Sequence, residues 1–352
     1  SSIIRTDNVT YRYPQNDLGL PPITLDVQRG QALLVAGPSG SGKSTLARCL
    51  TGLIPHLYRG DMQGTVWIDG LQTTETPLWQ LTEHVGFVFQ NPATQMLGST
   101  VAEEIIFGLE NQGLPRDEVR SRLTAVLTQF HLMELRDRSP HTLSGGEQQK
   151  VALAATMARH PPVLVLDEPL AMLDSTAGGQ LVRELSVLAG QGTAVVLCEH
   201  RHEEIELIPG LRTLRLAETH EIDDEAPGPP EVFPPPGDFT LDVRNLSVTL
   251  DGRSILQHIG FTMPAGQILA IVGRNGVGKT TLLRALVGLQ RYAGTVTVDS
   301  TRPDLAMVFQ NPNLQLFNPT VREEILYRLP DPDMARYKWL LRMLGLSRYE
   351  ST

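Results

Sequence analysis

Only two cysteines and 5% aromatic residues occur among the 352 residues. No apolar run approaches the roughly 18 residues that a membrane-spanning helix needs. Cys49 and Cys198 sit in apolar stretches and read as small buried hydrophobes, which excludes a disulfide framework or a cysteine metal site and fits a reducing compartment. Positive charge is also scarce. Thirty Lys and Arg against 39 Asp and Glu leave a net charge of -9 with no basic run, which disfavours a nucleic-acid binder. The opening SSIIRTDNVTYRY lacks the apolar core of a secretion signal and reads as the start of a strand. The expected location is the cytoplasm, and any membrane span must come from a partner.

The length exceeds what one hydrophobic core usually serves, so two domains are expected. Their boundary is visible in composition. Glu218 to Phe239 is rich in proline and carboxylates and carries no Lys or Arg, as an extended surface linker would be. The two sides repeat each other: FVFQNPATQMLGSTVAEEIIFGL, Phe87 to Leu109, aligns without a gap to MVFQNPNLQLFNPTVREEILYRL, Met307 to Leu329. The expected organisation is a first domain over 1–217, a linker over 218–238 and a related second domain over 239–352. Each half reads as α/β. QALLVAG and QILAIVG are apolar runs of strand length, each followed by a glycine-rich turn and then by TLARCL or TLLRAL, which carry good helix formers. VLVLDEP at Val163 and AVVLCEH at Ala194 are further buried strands ending in charged residues, where α/β folds place their chemistry.

The turn Gly37–Thr45, GPSGSGKST, satisfies GxxxxGK[ST], and Gly273–Thr281, GRNGVGKTT, satisfies it again. Glycines let backbone amides close around phosphate oxygens, a lysine meets the terminal phosphates, and a helix N-terminus favours the anion. The first loop offers Gly37, Ser39, Gly40, Ser41, Gly42, Lys43, Ser44 and Thr45; the second offers Gly273, Asn275, Gly276, Val277, Gly278, Lys279, Thr280 and Thr281. The hydroxyls of Ser44 and Thr280 suit Mg²⁺. After VLVL, Asp167 suits Mg²⁺ through water and Glu168 suits the water that attacks the γ-phosphate. His200 and Gln90 each end another apolar run; alone, either is an ordinary structural residue. LSGGEQ, Leu143 to Gln148, precedes the helical stretch KVALAATMARH. Its serine and glycines form a second anion-binding helix start through Ser144, Gly145, Gly146 and Glu147.

In this order the motifs resemble those of the ATP-binding cassette (ABC) ATPases, and the resemblance covers essentially the whole chain. It implies a P-loop NTPase core with a helical signature subdomain, duplicated, with ATP and Mg²⁺ as cofactors. Under it, Gln90 is the Q-loop residue and a Mg²⁺ sensor, LSGGE the signature, Glu168 the catalytic carboxylate and His200 the switch histidine. Asp174 belongs to the D-loop, Tyr13 is the adenine-stacking aromatic, and Gln310 is the second Q-loop residue. Leu250 stands opposite Tyr13 in the second half, so that half is expected to lack the stacking ring.

The signature occurs once. Counting the Gln90-to-Ser144 distance onward from Gln310 passes the last residue, so the second cassette reads as incomplete. ABC cassettes pair head to tail, each signature closing the other's nucleotide, and an incomplete pair is expected to be weakly active. Both Q-loops continue as FQNPxxQ, with Gln95, Met96 and Leu97 in one and Gln315, Leu316 and Phe317 in the other. This element is similar to that of the ATPases of energy-coupling factor (ECF) importers of vitamins or transition-metal ions. The resemblance implies exposed apolar residues that dock a transmembrane coupling subunit, a separate substrate-binding membrane subunit, and a place on the inner face of the cell membrane. The alternative is a soluble tandem ABC protein acting on ribosomes or DNA. Such proteins usually carry basic helical linkers, whereas this linker is acidic and proline-rich.

Overall fold

The computed structural model describes residues 2–14, 19–38, 40–171, 173, 175–200, 205–216, 239–250, 252–273, 276–299, 305–309 and 315–350. The chain divides into two compact units, Ser1–His220 and Glu221–Thr352. The proline-rich stretch from 218 to 238 lies outside the described residues.

In the first unit, β1 (Ser2–Arg12), β2 (Gly19–Gln28), β4 (Asp61–Ile68) and β5 (Leu71–Gln72) form an antiparallel sheet in the order β2-β1-β4-β5. A second sheet is parallel, in the order β6-β7-β8-β3-β9: Val85–Val88, Val163–Asp167, Ala194–Glu199, Ala32–Ala36 and Arg212–Arg215. The helices are α1 (Lys43–Leu50), α2 (Leu53–His56), α3 (Leu78–His84), α4 (Val101–Asn111), α5 (Arg116–Gln129), α6 (Gly145–Met157) and α7 (Ser175–Gly190).

Every residue of β3, β7 and β8 is buried, as expected of parallel strands covered on both faces. Side chains alternate across a strand, and the alternation sorts them into two cores. Leu34, Leu164, Leu166, Val195 and Leu197 face one core with residues of α4 to α7. Leu33, Val35, Val163, Val165, Val196 and Cys198 face the other, with α1 and the antiparallel sheet. The parallel sheet thus carries its C-terminal strand ends, and the polar residues that follow them, at one edge between the two cores.

The second unit contains β10 (Thr240–Leu250), β11 (Arg253–Pro264) and β12 (Ala293–Val298) in the order β11-β10-β12, with α8 (Lys279–Leu286), α9 (Val321–Ile325) and α10 (Met334–Met343). Fine detail repeats between units. Asn8 and Asn245 both adopt positive φ inside their strands. A Cβ on Gly64 or on Gly294 would come within 2.4 Å of the Asn8 or the Asn245 carbonyl oxygen. The strand expected over QILAIVG is corrected: residues 267–273 form no strand, and Ile268 is 99% exposed. Its counterpart β3 is hydrogen-bonded to β8 on one side and β9 on the other. Among the described residues the second unit has no parallel sheet, and a strand without partners leaves its backbone groups unpaired.

Candidate functional site

The first phosphate loop connects β3 to α1. Gly37 has no room for a side chain: a Cβ there would lie 2.6 Å from Ser41 Oγ and 2.7 Å from the Leu216 carbonyl oxygen. Gly42 takes φ 94° to turn the chain into α1, a conformation glycine adopts without steric cost. The opening amides of α1 have no acceptors within the helix. The buried Lys43 donates from Nζ to the Gly37 and Pro38 carbonyls, both at 2.8 Å, which uses two of its three donors. Ser41 Oγ is buried and has no hydrogen-bond partner among the described residues. A glycine-rich turn at a helix start, with an orphaned buried hydroxyl and a buried lysine, fits a polyphosphate.

Ser44 Oγ donates to Asp167 Oδ1 at 3.0 Å, joining the start of α1 to the end of β7. These two oxygens and the adjoining loop offer hard donors of the kind Mg²⁺ takes. Among the described residues no group of three or more His, Cys, Asp or Glu could hold a metal ion, so Mg²⁺ here would complete its shell with phosphate and water oxygens. Burial raises the pKa of Asp167, and the charge of Glu168 adds to the rise; the Ser44 hydroxyl and the cations of Arg48 and Lys43 oppose it. Burial also pulls the Lys43 ammonium below its ordinary value against the nearby acids, Glu168 foremost.

Glu168 follows β7 with φ 48°, a left-handed backbone that costs a non-glycine residue about 1 kcal/mol. Its N–H donates to the Cys198 carbonyl at 2.9 Å, which fixes this turn against β8. Its carboxylate accepts from Gln90 Nε2 at 2.7 Å and lies 3.1 Å from His200 Nε2. Residues from the ends of β6, β7 and β8 therefore meet at one carboxylate. Tyr13 is half-buried edge-on against Tyr11, with ring centroids 4.8 Å apart. Its hydroxyl lies 3.0 Å from Thr45 Oγ1 and accepts from the Arg48 guanidinium at 2.9 Å. Arg48, which sequence reading did not single out, also covers the Tyr58 ring. Its only sequence signal is its place one helical turn beyond Ser44.

Ser144 is exposed and caps α6 in a capping box. Its hydroxyl accepts from Glu147 N–H, while the Glu147 carboxylate accepts from Ser144 N–H at 2.8 Å and from its hydroxyl at 2.7 Å. Gly145 and Gly146 open the helix beside them. Beyond Gln90, the expectation of an exposed Met96 is corrected: Met96 is buried in the core with α4 and α6, and Leu97 is the exposed residue. Gln95 braces the loop by accepting from Phe89 N–H at 3.0 Å.

In the second unit Gln315 accepts from Phe309 N–H at 2.9 Å, and Leu316 and Phe317 are exposed. Lys279 donates to the Gly273 carbonyl at 2.7 Å, Gly278 takes φ 100° before α8, and Gly276 is also at positive φ. Val277 and Thr280 are exposed, and Thr281 is half-buried. Ser39, Asp174, Asn275 and Gln310 lie outside the described residues.

The family model described as ABC transporter matches residues 20–171 and 256–352. A putative ABC transporter ATP-binding protein of Treponema denticola is 35% identical, over 98% of this chain and 78% of its own length. One from Methanosarcina acetivorans is 31% identical, over 99% of this chain and 71% of its own. Among solved structures, the ATP-binding cassette MJ0796 in a post-hydrolysis state bound to ADP and Pi superposes with a TM-score of 0.54 at 27% identity, covering 62% of this chain and 97% of that one. CbiO1 of Clostridium perfringens, part of the ABC transporter complex CbiONQ, gives a TM-score of 0.50 at 28% identity over 57% and 79%. With the strand order, the phosphate loop and these likenesses in agreement, the chain belongs to the ATP-binding proteins of the ABC transporter family, whose P-loop fold binds and hydrolyses ATP.

Proposed function

We propose that this chain binds and hydrolyses ATP to energise an ECF-type importer of a vitamin or a transition-metal ion, from the cytoplasmic face of the membrane. The observation that carries the chemistry is the convergence of Gln90 and His200 on the Glu168 carboxylate, beside the Ser44–Asp167 pair and Lys43. Lys43 and the amides of 37–45 hold the phosphates, and Tyr13 stacks the adenine. Glu168 accepts a proton from the attacking water while His200 and Gln90 orient the carboxylate and the γ-phosphate. Ser44, Gln90 and Asp167 would hold Mg²⁺, which supplies charge neutralisation at the phosphates. Ser144 to Glu147 present a helix start to a nucleotide bound by another cassette. In the second cassette Gly273 to Thr281 play the phosphate role, with Thr280 and Gln310 toward the metal.

The importer reading is supported by the likeness to CbiO1 and by Leu97, Leu316 and Phe317, exposed beside the two braced loops. No described helix is long and apolar enough to cross a membrane, so coupling needs membrane-spanning partners. The test is purification of the full chain from detergent-solubilised membranes. A stoichiometric multi-spanning subunit that raises ATP turnover is the expected result. Bound ribosomal RNA or DNA with no membrane subunit would overturn the transport assignment.

A further inference from the structure

Glu199 is a carboxylate in the interior. It is the last residue of β8 and 3% exposed. Its Oε1 accepts from Leu170 N–H at 2.8 Å, and its Oε2 accepts from His200 N–H at 2.9 Å. Those two amides belong to different segments: Leu170 lies in the turn that follows Glu168, and His200 begins the chain that leaves β8. The turn is tight, with Ala171 N–H donating to the Glu168 carbonyl and Leu173 N–H to the Leu170 carbonyl, both at 3.1 Å. Leu170 and Leu173 are buried and anchor it in the core.

A buried charge is a poor choice if the position needs only packing, because an apolar residue of similar volume avoids the desolvation cost. A carboxylate is the side chain that accepts from two backbone donors at once with charge-assisted bonds. Glutamine has the same shape, but its NH₂ would face one of the two N–H groups. The charge of Glu199 also acts on Lys43 in the phosphate loop.

We propose that Glu199 is a positioning residue that fastens the turn after Glu168 to the backbone of His200, so that the two segments respond to nucleotide as one body. A contact made by His200 is then passed through the Glu199 carboxylate to Leu170. The inference rests on the reading of Glu168 and His200 as the catalytic pair, and it adds a residue that does not touch substrate.

The experiment uses the full chain with Glu199→Ala, Glu199→Gln and, as a control on the underlying reading, Glu168→Gln. Amide hydrogen exchange is followed with and without Mg-ATP, together with steady-state turnover. In Glu199→Ala, exchange at Leu170 and His200 should quicken about tenfold or more while β3 and β7 stay protected, and kcat should fall by a similar factor with KM little changed. Glu199→Gln keeps the volume and one acceptor, so one amide should remain protected and kcat should be intermediate; it also serves if the alanine variant does not fold. Wild-type exchange at both amides, or faster exchange with unchanged kcat, would overturn the proposal. Retained turnover in Glu168→Gln would instead sink the assignment of the base, and exchange at Leu170 and His200 would still decide whether Glu199 joins the segments.

Discussion

The two units preserve different parts of one plan. Both keep the braced loop after the FQNP sequence: Gln95 and Gln315 close onto Phe89 and Phe309, Glu104 and Glu324 accept from the following amides, and Thr100 and Thr320 cap the next helix. Both also keep the glycine that turns into the helix after the phosphate loop. They part at the parallel sheet. In the first unit β3 lies between β8 and β9, whereas among the described residues the corresponding segment of the second unit pairs with no parallel strand and is exposed apart from the half-buried Ile271. The loops are held by contacts a few residues away and form from local sequence. A central strand is held by segments more than a hundred residues distant.

The sharpest test of this contrast is Glu168→Gln, since among the described residues only the first unit shows a carboxylate held by a glutamine and a histidine, Gln90 and His200. Turnover should fall about a thousandfold, the range expected for loss of a general base, with ATP binding retained. Any larger residue of activity would place chemistry in the second unit. Next in size is packing. Leu33 and Leu269 hold the same position before their phosphate loops, yet the first is 4% exposed and the second 48%. Thermal or denaturant unfolding should show Leu33→Ala losing about 3 kcal/mol. Leu269→Ala should stay within about 0.5 kcal/mol; equal losses would show that the second strand is also packed.

Smaller is a pH effect confined to the first unit. Burial and Glu168 raise the Asp167 pKa, so protons compete with Mg²⁺ at a higher pH than at an ordinary carboxylate. Titration calorimetry should show Mg²⁺-dependent nucleotide affinity falling as pH drops through that raised pKa. Asp167→Asn should flatten the dependence. The stability contribution has the opposite sign: with the folded pKa above the unfolded one, ionised Asp167 costs stability at higher pH, and acidification relieves that cost. The smallest expected change is a gain. Leu250→Tyr places a ring where Tyr13 has its counterpart, and adenine-nucleotide affinity at the second loop should improve by about 1 kcal/mol if stacking is what that site lacks.

Much of the first unit was legible because its signals are local or periodic. Continuous apolar runs marked β3, β7 and β8, the GxxxxGK[ST] spacing placed α1, and LSGGEQ placed the start of α6. Positions at strand ends pointed to Asp167, Glu168 and His200. Three features were not legible. An apolar run does not state whether its sheet partners exist, so QILAIVG read as a strand and is not one. Burial of Met96 follows from the packing of α4 and α6, which adjacent residues do not encode. The bonds of Glu199 and Arg48 join segments far apart in sequence. A charged residue ending the buried strand AVVLCE was visible, but its bonds to the Leu170 and His200 amides were not.

The 2.7 Å bond from Gln90 to Glu168 makes the carboxylate's aim a property of the chain that runs on to the exposed Leu97. A partner of the kind proposed, pulling on that loop, would not need to reach the phosphates. Drawing Gln90 back would free the oxygen it holds, so under the proposed function a pull at the periphery would act on the carboxylate without touching the nucleotide.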